Sequence, residues 1–470
     1  MVHIPENNNK QRKIHLIGIG GIGMSGLAHL LLGANFKISG SDIKTNSSIE
    51  KLKDKGAKIN IGHSEKNVGF DTDTVVYSSS ISRDNPELII SQTRGLAILP
   101  RAQMLNSLMQ EKIGIAVTGA HGKTTTTAMI TTLLTHAGLD PSYMVGAEID
   151  LLGNSAASGK GKYFVVEADE SDGSFLFFKP KYVIVTNIDY EHIDHYQNMK
   201  ELIVACANFL NNAHKDGCAF LCFDDVYIKT LIKEYNYNRR CVTYGLNSYC
   251  DIMAGNIEMH GKYSSFEGVY RGKSLGEFKL QIPGKHNIVN SLSAIALSME
   301  LGIELSVVRE TLAAFTGAKR RFQIKNETHN IIIVDDYAHH PTEIAATIRA
   351  AKHFETKRII VVFQPHRYSR TKLLKGQFGS CFQGADYLII TDLYSAEEQP
   401  IPGISAMSIY DEVRLTGFAN AVYLAKNDIC TYLGKMLKAG DMIIFAGAGD
   451  INCLSDELVE RIKEKYECSV

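Results

Sequence analysis

The chain has 470 residues, enough for two to four domains that each bury their own core. Its 50 Lys and Arg nearly cancel its 51 Asp and Glu, which argues against nucleic acid or an anionic membrane as partner and leaves small-molecule chemistry. Nine scattered cysteines without a C-x-x-C pair read as reduced core thiols; the polar start lacks a secretory apolar run and no apolar run reaches spanning length, so a cytoplasmic protein is expected.

The first predicted strand begins at Lys13 and opens into Gly18-Ile-Gly-Gly-Ile-Gly-Met-Ser-Gly26, followed by a helix through Leu32. Gly18, Gly20 and Gly23 fit G-x-G-x-x-G, and a second strand, 36–39, ends at Gly40-Ser41-Asp42, nineteen residues past Gly23. By spacing this is a dinucleotide fingerprint. Taken alone it suits an NAD enzyme and a non-redox nucleotide binder equally.

The most informative stretch is Ile115-Ala-Val-Thr-Gly-Ala-His-Gly-Lys-Thr-Thr-Thr-Thr127, a glycine turn between an apolar strand and a helix predicted over 123–137. Gly119 and Gly122 let backbone amides approach phosphate, Lys123 reaches the transferring phosphate and Thr124 offers a hydroxyl to Mg²⁺. The spacing Gly119-x-x-Gly122-Lys-Thr is two residues shorter than the Walker pattern, which argues against ordinary P-loop motors. A phosphoryl-transfer apparatus of this kind is more than a dehydrogenase needs.

The next strand, 163–166, ends in Glu167-Ala-Asp-Glu-Ser-Asp172. Carboxylates at the carboxyl end of a strand beside a phosphate loop are where an α/β sheet presents Mg²⁺ ligands, and Glu167 is the first choice; at least two of the other acids read as a solvated loop. Strand 182–185 leads to His192, a candidate for a second Mg²⁺ or for the phosphates, and to His195, read as a surface residue. Asn287 and Asn290 lie three apart near a helix start, where amides can hold a purine or a phosphate. Lys319-Arg-Arg321 supplies cations of the kind that offset charge in phosphoryl transfer.

The third block places strands at 331–334, 358–363, 387–390 and 442–445, each opening into polar residues: Asp335-Asp-Tyr-Ala-His-His340, Gln364-Pro-His-Arg-Tyr-Ser-Arg370, Thr391-Asp392 and Ala446-Gly-Ala-Gly-Asp450. Such an edge binds ligands in open α/β sheets. His339 and His340 lack further ligand-spaced Cys or His, so no zinc is expected there.

Taken together, the loops at Gly18, Gly119 and Glu167, the motif His286-Asn-x-x-Asn290, Arg320-Arg-Phe322, Asp336-Tyr-Ala-His-His-Pro341 and Pro365-His-Arg-Tyr-Ser-Arg370 resemble those of the Mur ligases over almost the entire chain. The nearest resemblance is to the branch that joins L-alanine to UDP-N-acetylmuramate. It implies an α/β fold of three domains, each on a largely parallel sheet with flanking helices: Rossmann-like at 1–110 for the UDP-sugar, a P-loop-type ATPase at 111–322, and Rossmann-like at 323–470 for the amino acid. The first loop would then cradle the UDP diphosphate rather than NAD, with Gly18, Gly20, Gly21, Gly23, Ser41, Asp42, Ser78, Ser79 and Arg101 around it. The resemblance assigns Gly119, Ala120, His121, Gly122, Lys123, Thr124 and Thr125 to ATP, with Asn287, Asn290 and Arg321. It assigns Thr124, Glu167 and His192 to Mg²⁺, and Lys123, Glu167, His192 and Arg321 to catalysis. Asp336, Tyr337, His340, His366, Arg367, Tyr368 and Arg370 would surround the acyl phosphate and L-alanine.

Ala120 stands where the family usually has Thr, and Glu191 precedes His192 where Asp is common; neither change removes a ligand. A monomer or homodimer is expected. The alternatives are the relative that recycles a tripeptide onto the same UDP-sugar and, in a different class, an NAD-dependent oxidoreductase.

Overall fold

The computed structural model describes residues 12–189, 195–235 and 237–467, with side chains to residue 464. By contact density the chain divides into two units, one comprising residues 1–252 and 293–311 and the other 253–292 and 312–470.

The first unit carries two sheets. In the first, β1 (Lys13–Ile17), β2 (Lys37–Asp42), β3 (Lys58–Ile61), β4 (Thr74–Tyr77) and β5 (Ala97–Pro100) lie in the order β3-β2-β1-β4-β5, all parallel. The connecting helices are α1 (Ile22–Gly33), α2 (Ser47–Asp54), α3 (Pro86–Thr93) and α4 (Arg101–Gln110). Asn46 and Asn85 cap α2 and α3 by accepting the amides of Ile49 and Glu87, and Pro86 opens the first turn of α3. The strand expected over 36–39 extends through Asp42, because Ser39 to Asp42 also pair with β3.

The second sheet holds β6 (Ile113–Thr118), β7 (Ser142–Ile149), β8 (Asn154–Ala157), β9 (Tyr163–Glu167), β10 (Tyr182–Val185), β11 (Cys218–Cys222) and β12 (Cys241–Gly245) in the order β12-β11-β10-β6-β9-β7-β8. Only the edge strand β8 is antiparallel among these. Apolar strands of this kind, buried on both faces, are what parallel sheets covered by helices require. Helix α5 (Lys123–His136) packs on β6, β7 and β9. Its threonines are poor helix formers, yet Thr127 and Thr132 satisfy their hydroxyls on the carbonyls of Lys123 and Ala128, four residues back, each at 2.8 Å.

The second unit contains β13 (Ile252–His260), β14 (Tyr263–Tyr270) and β15 (Lys273–Leu280) side by side, the last two antiparallel. It also contains a six-stranded sheet of β16 (Gln323–Asn326), β17 (Ile332–Asp336), β18 (Arg358–Phe363), β19 (Tyr387–Ile390), β20 (Ala421–Tyr423) and β21 (Asp441–Ala446), ordered β16-β17-β21-β18-β19-β20. All its pairs are parallel except β16 with β17. Alternate residues feed two cores: Val334, Phe363 and Ile444 on one face, Ile333, Val362 and Ile443 on the other. Strand 331–334 runs on through Asp336, which places both carboxylates inside the strand and buries them. Among the described residues no helix is long and apolar enough to cross a membrane.

Candidate active site

Within the first unit, the phosphate loop spans the end of β6 and the start of α5. Gly119 has φ +126°, and a Cβ there would meet the Thr186 hydroxyl and stand 2.6 Å from the Asn187 carbonyl. Only glycine accepts both the conformation and the close approach. Gly122, at φ +81°, is the N-cap of α5. The loop is clamped from β10's end: Asn187 Oδ1 accepts the His121 amide at 2.8 Å, while Asn187 Nδ2 and Thr186 Oγ1 donate to the His121 carbonyl at 2.9 and 2.6 Å. His121 Nε2 lies 2.9 Å from Asp189 Oδ2. His121 is therefore fixed by three residues that the motif alone did not single out; their signal was their place directly after an apolar strand, which pairs with β6.

Lys123 Nζ donates to Gly119 O at 2.6 Å and to both oxygens of buried Glu170, at 3.0 and 3.2 Å. Thr124 Oγ1 donates to Glu167 Oε1 at 3.0 Å, and Glu167 Oε2 accepts the Gly146 amide at 2.7 Å. Ala120 sits on the loop, its amide 3.3 Å from Asn187 O, and Thr125 is buried in the first turn of α5. Of the acidic run, Asp169 and Asp172 accept the amides of Ser171 and Ser174 and so shape local turns, while Glu170 is the partner that sequence reasoning had left among loop acids. The set of Thr124 hydroxyl and Glu167 carboxylate oxygens suits a hard divalent cation such as Mg²⁺. His192 and Glu191 lie outside the described residues. His195 is exposed, in keeping with a surface role.

The first glycine loop is equally assembled. Gly18 and Ile19 donate their amides to Ser41 O at 2.9 and 3.0 Å, Gly20 donates to Asp42 Oδ2 at 2.8 Å, and Gly21 to Gly18 O at 3.3 Å. Ser78 donates its amide to Ile17 O at 3.2 Å, and its hydroxyl lies 3.0 Å from that of Ser80; Ser79 is exposed beside them. Arg101, the first residue of α4, lies against the loop, since a Cβ on Gly23 would be 3.1 Å from its Nη1. The fold thus gathers Ser41, Asp42, Ser78 and Arg101 around Gly18 to Gly23.

Within the second unit, Asn287 and Asn290 are buried at the start of the helix Lys285–Glu300. Asn287 Nδ2 donates to Pro283 O at 2.6 Å, and Asn290 Nδ2 lies 3.4 Å from Asn287 Oδ1. At the end of β17, Asp336 accepts the amides of Phe322 and Ala338 at 3.1 and 2.8 Å and the Thr347 hydroxyl at 3.0 Å. Burial raises its carboxyl to about 6, against the opposing charge of Arg321. The Tyr337 ring lies 5.1 and 5.2 Å from the guanidinium carbons of Arg320 and Arg321, and Arg321 Nη1 is 3.8 Å from Glu343.

The two adjacent histidines part company. His340 Nδ1 accepts the Thr342 amide at 3.3 Å and caps the helix Pro341–Ala351, whereas His339 turns its ring to 5.9 Å from His366. His366 stacks on Tyr394 at 5.6 Å, and its Nδ1 accepts from Arg370 Nη1 at 2.9 Å, which requires a neutral ring. Burial, then Arg370 and Arg367, lower its pKa to about 4. Arg367 has φ +71°, held by its amide's bond to Tyr394 O at 2.8 Å, and Tyr368 begins the next helix. Glu398 anchors that helix start by accepting the Ser369 amide and hydroxyl at 3.0 and 2.6 Å. His339 joins this cluster from within the Asp336–Pro341 motif, whereas Tyr394 and Glu398 join it without any motif to mark them.

Comparison with known proteins matches three family models in chain order: the Mur ligase family catalytic domain over residues 13–113, the Mur ligase middle domain over 117–298, and the glutamate ligase domain of Mur ligases over 320–449. The chain belongs to the Mur ligase family. This Mur ligase is 44% identical to the UDP-N-acetylmuramate--L-alanine ligase of Trichlorobacter lovleyi, over 96% of this chain and 99% of that one. The crystal structure of UDP-N-acetylmuramate-alanine ligase MurC from Thermotoga maritima superposes with a TM-score of 0.81 at 32% identity, covering 96% of this chain and 99% of that one. A murein peptide ligase from Psychrobacter arcticus shares the fold, with a TM-score of 0.70 at 22% identity over 96% and 98% of the two chains. The three-domain fold expected of a Mur ligase is the one observed, with sheets that are largely parallel. Nothing in these relatives supports an oxidoreductase.

Proposed function

We propose that this Mur ligase is an ATP-dependent amide ligase that joins L-alanine to the lactyl carboxylate of UDP-N-acetylmuramate, a step of peptidoglycan precursor synthesis. The observation that carries the reading is the whole-length identity to a ligase of that name. The assembled Lys123, Thr124 and Glu167 supply the machinery such a ligase needs. Residues 1–110 hold the UDP-sugar, 111–322 the ATP and 323–470 the amino acid.

A carboxylate is a poor acylating agent, so its oxygen first attacks the γ-phosphorus of ATP, giving an acyl phosphate and ADP. Lys123, already within the loop, exchanges Glu170 for phosphate oxygens and offsets the charge that develops there. Backbone amides at the start of α5 orient the phosphates. Mg²⁺, bound through Thr124 and Glu167, and in this reading His192, would supply further neutralisation of phosphate charge. Asn287 and Asn290 hold the adenine side, and Arg321 a phosphate. The free amine of L-alanine then attacks the acyl carbonyl, inorganic phosphate leaves, and the amine's proton passes to a general base. Asp336, Tyr337, His340, His366, Arg367, Tyr368 and Arg370 orient the amino acid and the acyl phosphate.

The test is phosphate release from Mg-ATP and UDP-N-acetylmuramate with L-alanine, with tripeptide, or with neither. Release that depends on L-alanine is expected. Release with tripeptide alone would make the protein a peptide-recycling ligase, and none with either would reject the ligase reading.

A further inference from the structure

The first sheet buries a carboxylate that no step above uses. Glu87, in the first turn of α3, has no exposed surface and accepts hydrogen bonds from His15 Nε2 at 2.9 Å, Ser41 Oγ at 2.6 Å, Asn67 Nδ2 at 2.7 Å and the Ser64 amide at 3.1 Å. His63 Nδ1 lies 3.4 Å from its other oxygen and 3.1 Å from Ser41 Oγ. Burial opposes ionisation, but the bonds from His15, Ser41 and Asn67 outweigh it and hold the carboxyl down at about 2. Glu87 is thus an acceptor only, at any working pH.

That fact sets the hydrogens around it. The Ser41 hydroxyl spends its single hydrogen on Glu87, so its oxygen can only accept from His63. His63 must therefore carry its hydrogen on Nδ1, and in the neutral ring Nε2 is left as an acceptor. His63 follows β3 and Gly62, whose amide donates to Asp42 O at 2.8 Å, so it stands at the carboxyl end of the sheet beside Asp42. Ser41 in turn receives on its carbonyl the amides of Gly18 and Ile19. One buried carboxylate thereby reaches both the glycine loop and an imidazole at the same sheet edge.

We infer that Glu87 is a positioning residue for the nucleotide-sugar site: it fixes the Ser41 rotamer beneath the glycine loop and locks His63 as the Nδ1–H tautomer, leaving Nε2 to accept a hydrogen bond from the UDP half of the substrate. The inference rests on the UDP-sugar reading of the first domain. A neutral amide at position 87 offers one acceptor oxygen and a donor face that opposes the Ser41 or His63 hydrogen, so the pattern cannot survive it.

The experiment joins two measurements on the full chain. In the wild type, ¹⁵N-resolved spectra of the imidazoles at a pH where His63 is neutral should show its Nδ1–H tautomer; an Nε2–H tautomer overturns the inference without any substitution. In Glu87→Gln and in His63→Ala, KM for UDP-N-acetylmuramate should rise about tenfold or more, with KM for ATP and kcat at saturation within about twofold of wild type. Glu87→Asp should recover part of the loss. If wild type binds the UDP-sugar and both variants keep its KM, Glu87 is merely structural and the inference fails. If wild type itself does not bind the UDP-sugar, the functional reading fails instead, while the tautomer result still stands or falls alone.

Discussion

Lys123 Nζ stands 3.0 Å from Glu170 Oε1 inside the phosphate loop, so the ammonium that would meet ATP is held by a buried carboxylate of the same sheet edge. The pair keeps the cation desolvated and aimed, and phosphate takes over the role of the carboxylate. Lys123→Ala should cut L-alanine-dependent phosphate release by about 1,000-fold or more while UDP-sugar binding by calorimetry is retained. Substantial remaining turnover would remove Lys123 from the mechanism. Glu170→Gln, which takes away the competing anion, should bind mant-ATP at least as tightly as wild type. Weaker binding would show that Glu170 holds the lysine in place rather than competing for it.

The contact of Thr124 Oγ1 with Glu167 Oε1, at 3.0 Å, predicts a metal phenotype. Glu167→Gln replaces an anionic ligand by a neutral one, so the Mg²⁺ concentration for half-maximal activity should rise about tenfold or more. Titration of phosphate release with Mg²⁺ at saturating ATP reads this directly. An unchanged Mg²⁺ requirement would place the cation elsewhere.

Gly119→Ala tests the backbone of the loop. At φ +126° a side chain is strained, and the new methyl would press on Thr186 and Asn187, the residues that clamp His121. Loss of mant-ATP binding by about tenfold or more is expected, with the first domain's UDP-sugar binding intact. Normal ATP affinity in the variant would mean that the loop has another way to close.

Acid should unfold the first sheet through Glu87. Its carboxyl is held at about 2 in the fold against an ordinary 4.5, so its stabilising contribution is full above about 4.5 and is lost as pH falls from there toward 2. The contribution is on the order of 3 kcal/mol at most. Thermal melts followed by circular dichroism between pH 6 and 3 should show wild type losing more stability than Glu87→Gln. Parallel losses in the two proteins would assign acid lability to other groups.

Much of this was legible in the chain itself. Apolar runs fixed strands such as β10, β18 and β19 residue for residue, because strands buried on both faces must be continuously apolar whatever surrounds them. The glycines and Lys123 declared a phosphate loop because local backbone conformation and one side chain suffice to make it. What the sequence could not state was which polar groups meet across the sheet. Glu87 and Ser41 are 46 residues apart, Lys123 and Glu170 are 47 apart, and His366 and Tyr394 meet only because β18 and β19 lie side by side. Nor could a run of four acids, or a pair of histidines, reveal that Glu170 would face Lys123 and His340 would cap a helix while His339 faced His366. Local pattern determines the elements and the loops that join them; the choice among neighbouring polar side chains is made by burial and by long-range strand order, which exist only once the chain has folded.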